Sequence, residues 1–199
     1  MILILLLHFW TPETHIDWGT VQLQDVHFPD TFAWGVATAS HQIEGGNTNN
    51  WSQFEDAKDL QRSADACDHW NRWKSDFDLI ENLGVNHYRF SLEWSRIESV
   101  EGAWDDSAIE QYSNMIDNLI SRDIEPMVTL HHFSHPTWFE DKGGFANPEN
   151  VDYWVRFSKK MYSELGDRVK WWCTINEPAV VTSMGYVWAS SHQVNVHSN

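Results

Sequence analysis

Cysteine is scarce in this sequence: 199 residues include only Cys67 and Cys173, far apart and at no metal-ligand spacing. So few thiols in a chain this long exclude a disulfide framework and a cysteine-built zinc site. Both are expected to be buried free thiols, since cysteine packs as a small hydrophobe. Basic residues are also few. The 13 Lys and Arg are set against 29 Asp and Glu, a formal net charge of −16. That balance argues against nucleic acid or an anionic membrane as a partner, because both are held through basic surfaces. Long apolar runs are missing as well. The stretch Met1 to Leu7 is much shorter than the roughly 20 residues that span a bilayer. It lacks the positive n-region and small-residue cleavage site of a secretory signal, which favours a cytoplasmic location over a secreted one. A degenerate signal, a misplaced start and an N-terminal strand all stay open. Orderly patterning begins only after Val26. Residues 1–26 are therefore read as an N-terminal extension and residues 27–199 as a single domain.

What the sequence does have in abundance is tryptophan, 13 residues, within an apolar content of 42% and a charged content of 21%. Indole rings fill cores, and they also offer flat apolar faces with a polar edge, which suits the C–H faces of sugar rings.

From His27 onward, short apolar runs alternate with amphipathic stretches. Phe32–Ala39 reads as a buried strand that ends in the polar Ser40-His41-Gln42, and residues 45–66, rich in Asn, Asp and Ser, read as a long loop. Trp70, Trp73, Phe77, Ile80 and Leu83 recur at helical spacing, and Gly84 closes that helix. Val85–Ser91 is a second strand, and a helix carrying Ile109, Tyr112, Ile116 and Leu119 follows it. Pro126–Leu130 is a third strand, followed by a helix with Trp154, Phe157 and Met161 that ends at Leu165-Gly166. Lys170–Ile175 is the fourth strand, and no strong pattern follows Ser190.

Strand–helix alternation of this kind means α/β architecture with parallel strands joined by right-handed crossovers. An open dinucleotide-binding sheet would place a G-x-G-x-x-G turn after its first strand, and Gly45-Gly46 comes too late and lacks that spacing. Polar and aromatic residues cluster after every strand instead: Gln42 and Glu44, Glu93 and Trp94, His131 and His132, Asn176 and Glu177. Functional groups at successive strand ends are the pattern of a (β/α)8 TIM barrel. Only about the first four βα units are visible, so a partial barrel is expected.

The segments Phe32-Ala33-Trp34-Gly35-Val36-Ala37-Thr38-Ala39-Ser40-His41-Gln42-Ile43-Glu44-Gly45, Tyr88-Arg89-Phe90-Ser91-Leu92-Glu93-Trp94-Ser95-Arg96-Ile97, Val128-Thr129-Leu130-His131-His132-Phe133 and Thr174-Ile175-Asn176-Glu177-Pro178 stand one per strand, in order. Together they resemble the family 1 β-glycosidases, over about Phe28 to Ala189. The resemblance implies retaining hydrolysis of β-glucosides or related β-glycosides, with an oligosaccharide or small glycoside as substrate and no cofactor or metal. It casts Glu177 as general acid/base and Gln42, His132 and Asn176 as binders of ring hydroxyls. Arg89 becomes the supporting arginine beside the nucleophile. Phe133 departs from the family's usual tryptophan and so loses an indole donor. The nucleophile of the family lies in an Asn-Gly-flanked glutamate motif on the seventh strand, and no such motif occurs here. The 199 residues are therefore expected to be truncated and inactive alone, and open barrel edges would favour self-association.

The chemistry is sound on its own terms. Glycoside cleavage needs two carboxyl groups flanking the bond, one of which protonates the leaving oxygen. Glu177, near Trp171 and Trp172, is expected to be partly desolvated, which raises a carboxyl pKa. Arg89 lies mid-strand in an apolar run, where an unpaired charge is costly, so a carboxylate partner is expected. Glu44 and Glu93 are assigned structural hydrogen-bonding roles, and Cys173 a place in the core. His131 and His132 project to opposite faces of their strand, which argues against a metal shared with His135. The rival from another class is a non-catalytic carbohydrate-binding or pseudo-enzyme module that keeps Gln42, His132 and Asn176 as a sugar platform. A metal-dependent barrel hydrolase would require loss of activity to chelators.

Overall fold

The computed structural model describes residues 27–184. The expectations for residues 1–26 and for the stretch after Ser190 lie outside them. The described residues fall into two units that meet between Phe32 and Ala33. In the first, the rings of Phe28 and Phe32 pack 4.7 Å apart. The second carries the sheet, the helices and every candidate site residue.

Its four strands are β1 (Gly35–Ala37), β2 (His87–Ser91), β3 (Glu125–His131) and β4 (Trp171–Ile175). They form one parallel sheet in the order β1-β2-β3-β4. Gly35 pairs with His87, His87 with Glu125, and Met127 with Trp171. Sequential parallel order with helices in every connection is the arrangement of the first four βα units of a (β/α)8 barrel.

The helices follow local chemistry. Between β1 and β2 lie α1 (Ser40–Ile43), α2 (Asn50–Ala57) and α3 (His69–Asn82). After β2 come α4 (Trp94–Ile97) and α5 (Asp106–Ser121). The Asp105 carboxylate caps α5 by accepting from the Ser107 and Ala108 amides at 3.0 and 3.1 Å. The stripe Ile109, Tyr112, Ile116 and Leu119 is buried, as its spacing predicts. β3 leads into α6 (Thr137–Asp141), two short 3-10 turns and α7 (Val151–Leu165), which buries Phe157, Met161 and Leu165. α8 (Pro178–Thr182) opens after β4. Trp94 anchors the core with no exposed surface, stacked 4.8 Å from Phe157 and donating its indole N–H to Glu98 at 2.9 Å.

Four expectations are corrected. Residues 45–66 are not all loop, because Asn49 and Ser52 form a reciprocal capping box that starts α2. The first strand covers only Gly35–Ala37 rather than Phe32–Ala39, and it stands at one end of the described sheet, with Trp34 just before it 49% exposed. Leu83 is exposed, because the apolar face of α3 ends a turn earlier; Gly84, at φ +71°, does close that helix. Neither thiol is fully buried: Cys67 lies exposed in the turn before α3, and Cys173 is half-buried on the edge strand β4.

Candidate active site

The expected residues stand at the carboxyl ends of the strands, though Asn176 and Glu177 do not line the cleft that Gln42 and His132 share. At the end of β1, α1 presents His41 and Gln42; β3 ends in His131 and His132; β4 ends in Asn176 and Glu177. Gln42 and His132 line one cleft of about 320 Å³, with Trp51, Phe133 and Glu55 on its walls. Asn176 is buried and its amide N–H extends the sheet by donating to the His131 carbonyl at 2.9 Å.

Arg89, half-buried in β2, donates from Nη1 to Asn176 Oδ1 at 3.2 Å. Among the described residues the hydrogen-bond partner of this arginine is therefore an amide and not the carboxylate that its mid-strand place suggested. Its charge also reaches His132. Burial first, and Arg89 second, hold the His132 imidazole down at about 4, so the ring is neutral at neutral pH. A neutral imidazole can accept from or donate to a hydroxyl, and His132 Nδ1 has no hydrogen-bond partner among the described residues.

Glu177 sits at φ +46° and opens α8. Its side chain is exposed and makes no hydrogen bond or ion pair among the described residues. The expected shielding by tryptophan does not occur. Trp171 is 56% exposed, and Trp172 turns to the opposite face, where it packs against Tyr162 and donates to the Val169 carbonyl.

Glu44 and Glu93 hold the strand ends together, as expected of them. Glu93, fully buried, accepts from Ser40, Ser95 and Ser134 at 3.0, 2.7 and 2.8 Å and from Asn49 at 3.4 Å. Those donors come from the loops after three successive strands. Glu44 accepts from the Tyr112 hydroxyl at 2.6 Å and lies 3.2 Å from Arg96 Nε. Its pKa still rises to about 7, because complete burial and then the nearby Glu93 outweigh Arg96 and the hydrogen bonds.

The three histidines of β3 and its loop separate as the strand alternation requires. His131 and His135 approach at 3.3 Å, His135 reaches Glu140 at 2.7 Å, and His132 faces the cleft. Among the described residues no group of three or more His, Cys, Asp or Glu side chains is placed to hold a metal ion.

Trp51, Glu55 and Ser63 were not expected at the cleft. They sit in and after α2, inside the segment that read as loop. The Asn49…Ser52 capping pair was the available signal for that helix.

Comparisons with known proteins match the fold. The model of Glycosyl hydrolase family 1 matches residues 24–195. Beta-glucosidase A of Thermotoga maritima is 41% identical over 172 residues, which takes in 81% of this chain and 39% of that protein. The solved beta-glycosidase from Pyrococcus horikoshii superposes with a TM-score of 0.78 at 42% identity, covering 82% of this chain and 39% of that one. The beta-glucosidase from T. maritima in complex with deoxynojirimycin gives a TM-score of 0.78 at 40% identity, with 82% and 39% covered. The chain thus spans about two fifths of the length of these relatives.

Proposed function

The chain belongs to glycosyl hydrolase family 1, and on that premise we propose that it carries the acid/base side of a retaining β-glycosidase site for β-glucosides or related β-glycosides. The observation that carries the reading is the placement of Gln42, His132, Asn176 and Glu177 at the carboxyl ends of parallel strands, with Gln42 and His132 in one cleft. In this role Glu177 gives its proton to the glycosidic oxygen as the bond to the anomeric carbon breaks. It then takes a proton from the water that completes hydrolysis. Asn176, oriented by Arg89, and the neutral His132 hold ring hydroxyls, and Gln42 binds from the β1 side.

Double displacement also needs a nucleophilic carboxylate about 5–5.5 Å from the acid. No Asn-Gly-flanked glutamate occurs in the 199 residues, and Glu44 and Glu93 are committed to buried partners. Turnover by the 199 residues alone is therefore expected to be negligible. A non-catalytic carbohydrate-binding module, which keeps Gln42, His132 and Asn176 as a sugar platform, is the second reading.

The test has two arms. Methyl β-glucoside, titrated against the 199-residue chain and followed by amide NMR shifts, is expected to bind, and Asn176→Ala is expected to weaken it by about tenfold. Absence of binding sinks both readings. In the second arm, p-nitrophenol release from p-nitrophenyl β-glucoside is compared with that of Glu177→Gln. Release that persists unchanged in the variant removes Glu177 from the acid/base role. Release that it abolishes confirms the role and reveals a nucleophile, ruling out the binding module.

A further inference from the structure

The cleft that His132 lines also holds a carboxylate that the acid/base reading does not use. Glu55, on α2, is 9% exposed and lines the cleft beside Gln42 and Trp51. Its orientation is set by a chain of hydrogen bonds that begins at a helix cap. Asn49 Oδ1 accepts from the Ser52 amide at 3.0 Å, so its Nδ2 must face the other way, toward His41. That amide nitrogen meets His41 Nδ1 at 3.1 Å, and because it can only donate, Nδ1 must accept. The His41 proton is then on Nε2, which points at Glu55 Oε1 at 3.2 Å. The second carboxylate oxygen accepts from the Ser63 amide at 3.1 Å and from its hydroxyl at 3.3 Å.

The fixed donors do not exhaust the carboxylate. Two oxygens offer about four acceptor positions, and among the described residues three donors are in place. Around it, the indole N–H of Trp51 is committed to the Phe133 carbonyl at 3.1 Å. A ligand hydroxyl that enters here therefore meets a preoriented anionic acceptor, and hydrogen bonds to ionised groups are about twice as strong as neutral ones. The cleft volume of about 320 Å³ is enough for one small polar ring.

We propose that Glu55, held by His41 and Ser63, is a specificity-determining residue that accepts a hydrogen bond from one hydroxyl of the glycone and rejects glycosides bearing negative charge at that edge. The inference rests on the glycoside reading of the cleft. It adds to the bound ring a selective contact outside the four strand-end residues.

The test uses the 199-residue chain with methyl β-glucoside and its 2-, 3-, 4- and 6-deoxy analogues, with Kd read by NMR titration. In the parent chain one analogue is expected to bind about tenfold or more weakly than the parent sugar, the loss expected for a hydrogen bond to a charged group. Glu55→Gln, which keeps the shape and an acceptor for His41, is expected to reduce that ratio to about threefold, and Glu55→Ala to remove it. Asp56→Asn removes the same charge one residue away and is expected to leave every ratio unchanged. A purely structural Glu55 would weaken all five sugars alike, so unchanged ratios in both Glu55 variants overturn the proposal while the glycoside reading stands. Equal ratio changes in Asp56→Asn overturn it too. If the parent chain binds none of the sugars, the glycoside reading fails and this inference falls with it.

Discussion

At the end of β2, Glu93 is completely buried and takes hydrogen bonds from Ser40, Ser95, Ser134 and Asn49, whereas at the end of β4 Glu177 is exposed and makes no such bond among the described residues. The two glutamates occupy equivalent places in the βα repeat and do opposite work. A carboxylate surrounded by donors from three loops fastens those loops, and its desolvation is offset only while all its partners remain. A carboxylate left in solvent holds nothing together, and its oxygens stay open to solution. The surrounding strands show the same contrast. β2 and β3 are mostly buried, while β1 and β4, at the two ends of the described sheet, keep exposed positions such as Ala37 and Trp171.

The contrast breaks first at Glu93. Glu93→Ala leaves the buried donors of Ser40, Ser95 and Ser134 without their acceptor, and is expected to cost about 3–5 kcal/mol. The midpoint of urea unfolding measures it. An effect below about 1 kcal/mol would mean that the loops are held by other contacts.

Next in size is a pH effect at Glu44. Its folded pKa of about 7 exceeds the ordinary 4.5, so between these values the native state keeps a proton that the unfolded chain has lost. Its contribution is complete below pH 4.5 and is lost as pH rises through 7. Glu44→Gln, permanently neutral, is expected to flatten the stability–pH curve in that window by up to about 3 kcal/mol. Unfolding curves at pH 5 and pH 8 for both proteins check this, and equal slopes would refute it.

Gly84→Ala is expected to cost about 1–2 kcal/mol, because a Cβ is unfavourable at φ +71° even though nothing crowds it. Thermal melts suffice to measure it. Smallest of all, Glu177→Gln is expected to change stability by less than about 0.5 kcal/mol. A larger loss in the same urea series would mean that Glu177 is tied into the fold and would erase the contrast with Glu93.

Much of this was legible in the sequence where local chemistry decides. The apolar stripe of α5 shows in its spacing, and the strand-end motifs put Gln42, His132, Asn176 and Glu177 at one end of a parallel sheet. What stayed hidden depended on neighbours distant in the chain. Arg89 is 87 positions from Asn176, and no local pattern pairs a guanidinium with that amide. The segment from Gly45 to Ala66 looks polar and irregular because α2 buries Asn50, Ser52 and Glu55 instead of an apolar stripe, so hydrophobic periodicity does not reveal it. Glu177 was read as shielded because two tryptophans precede it, but alternation along β4 directs Trp172 to the other face and the edge of the described sheet leaves Trp171 exposed.

The sequence by itself determined the order of strands and helices, the family, and which residues stand at each strand end, because period, capping and motif are properties of contiguous chain. Only the tertiary structure decided which carboxylates are fasteners and which is left exposed. Burial, donor count and the orientation of Asn49, His41 and Glu55 arise where loops from different strands meet, and those meetings are set by parallel packing that no single segment encodes.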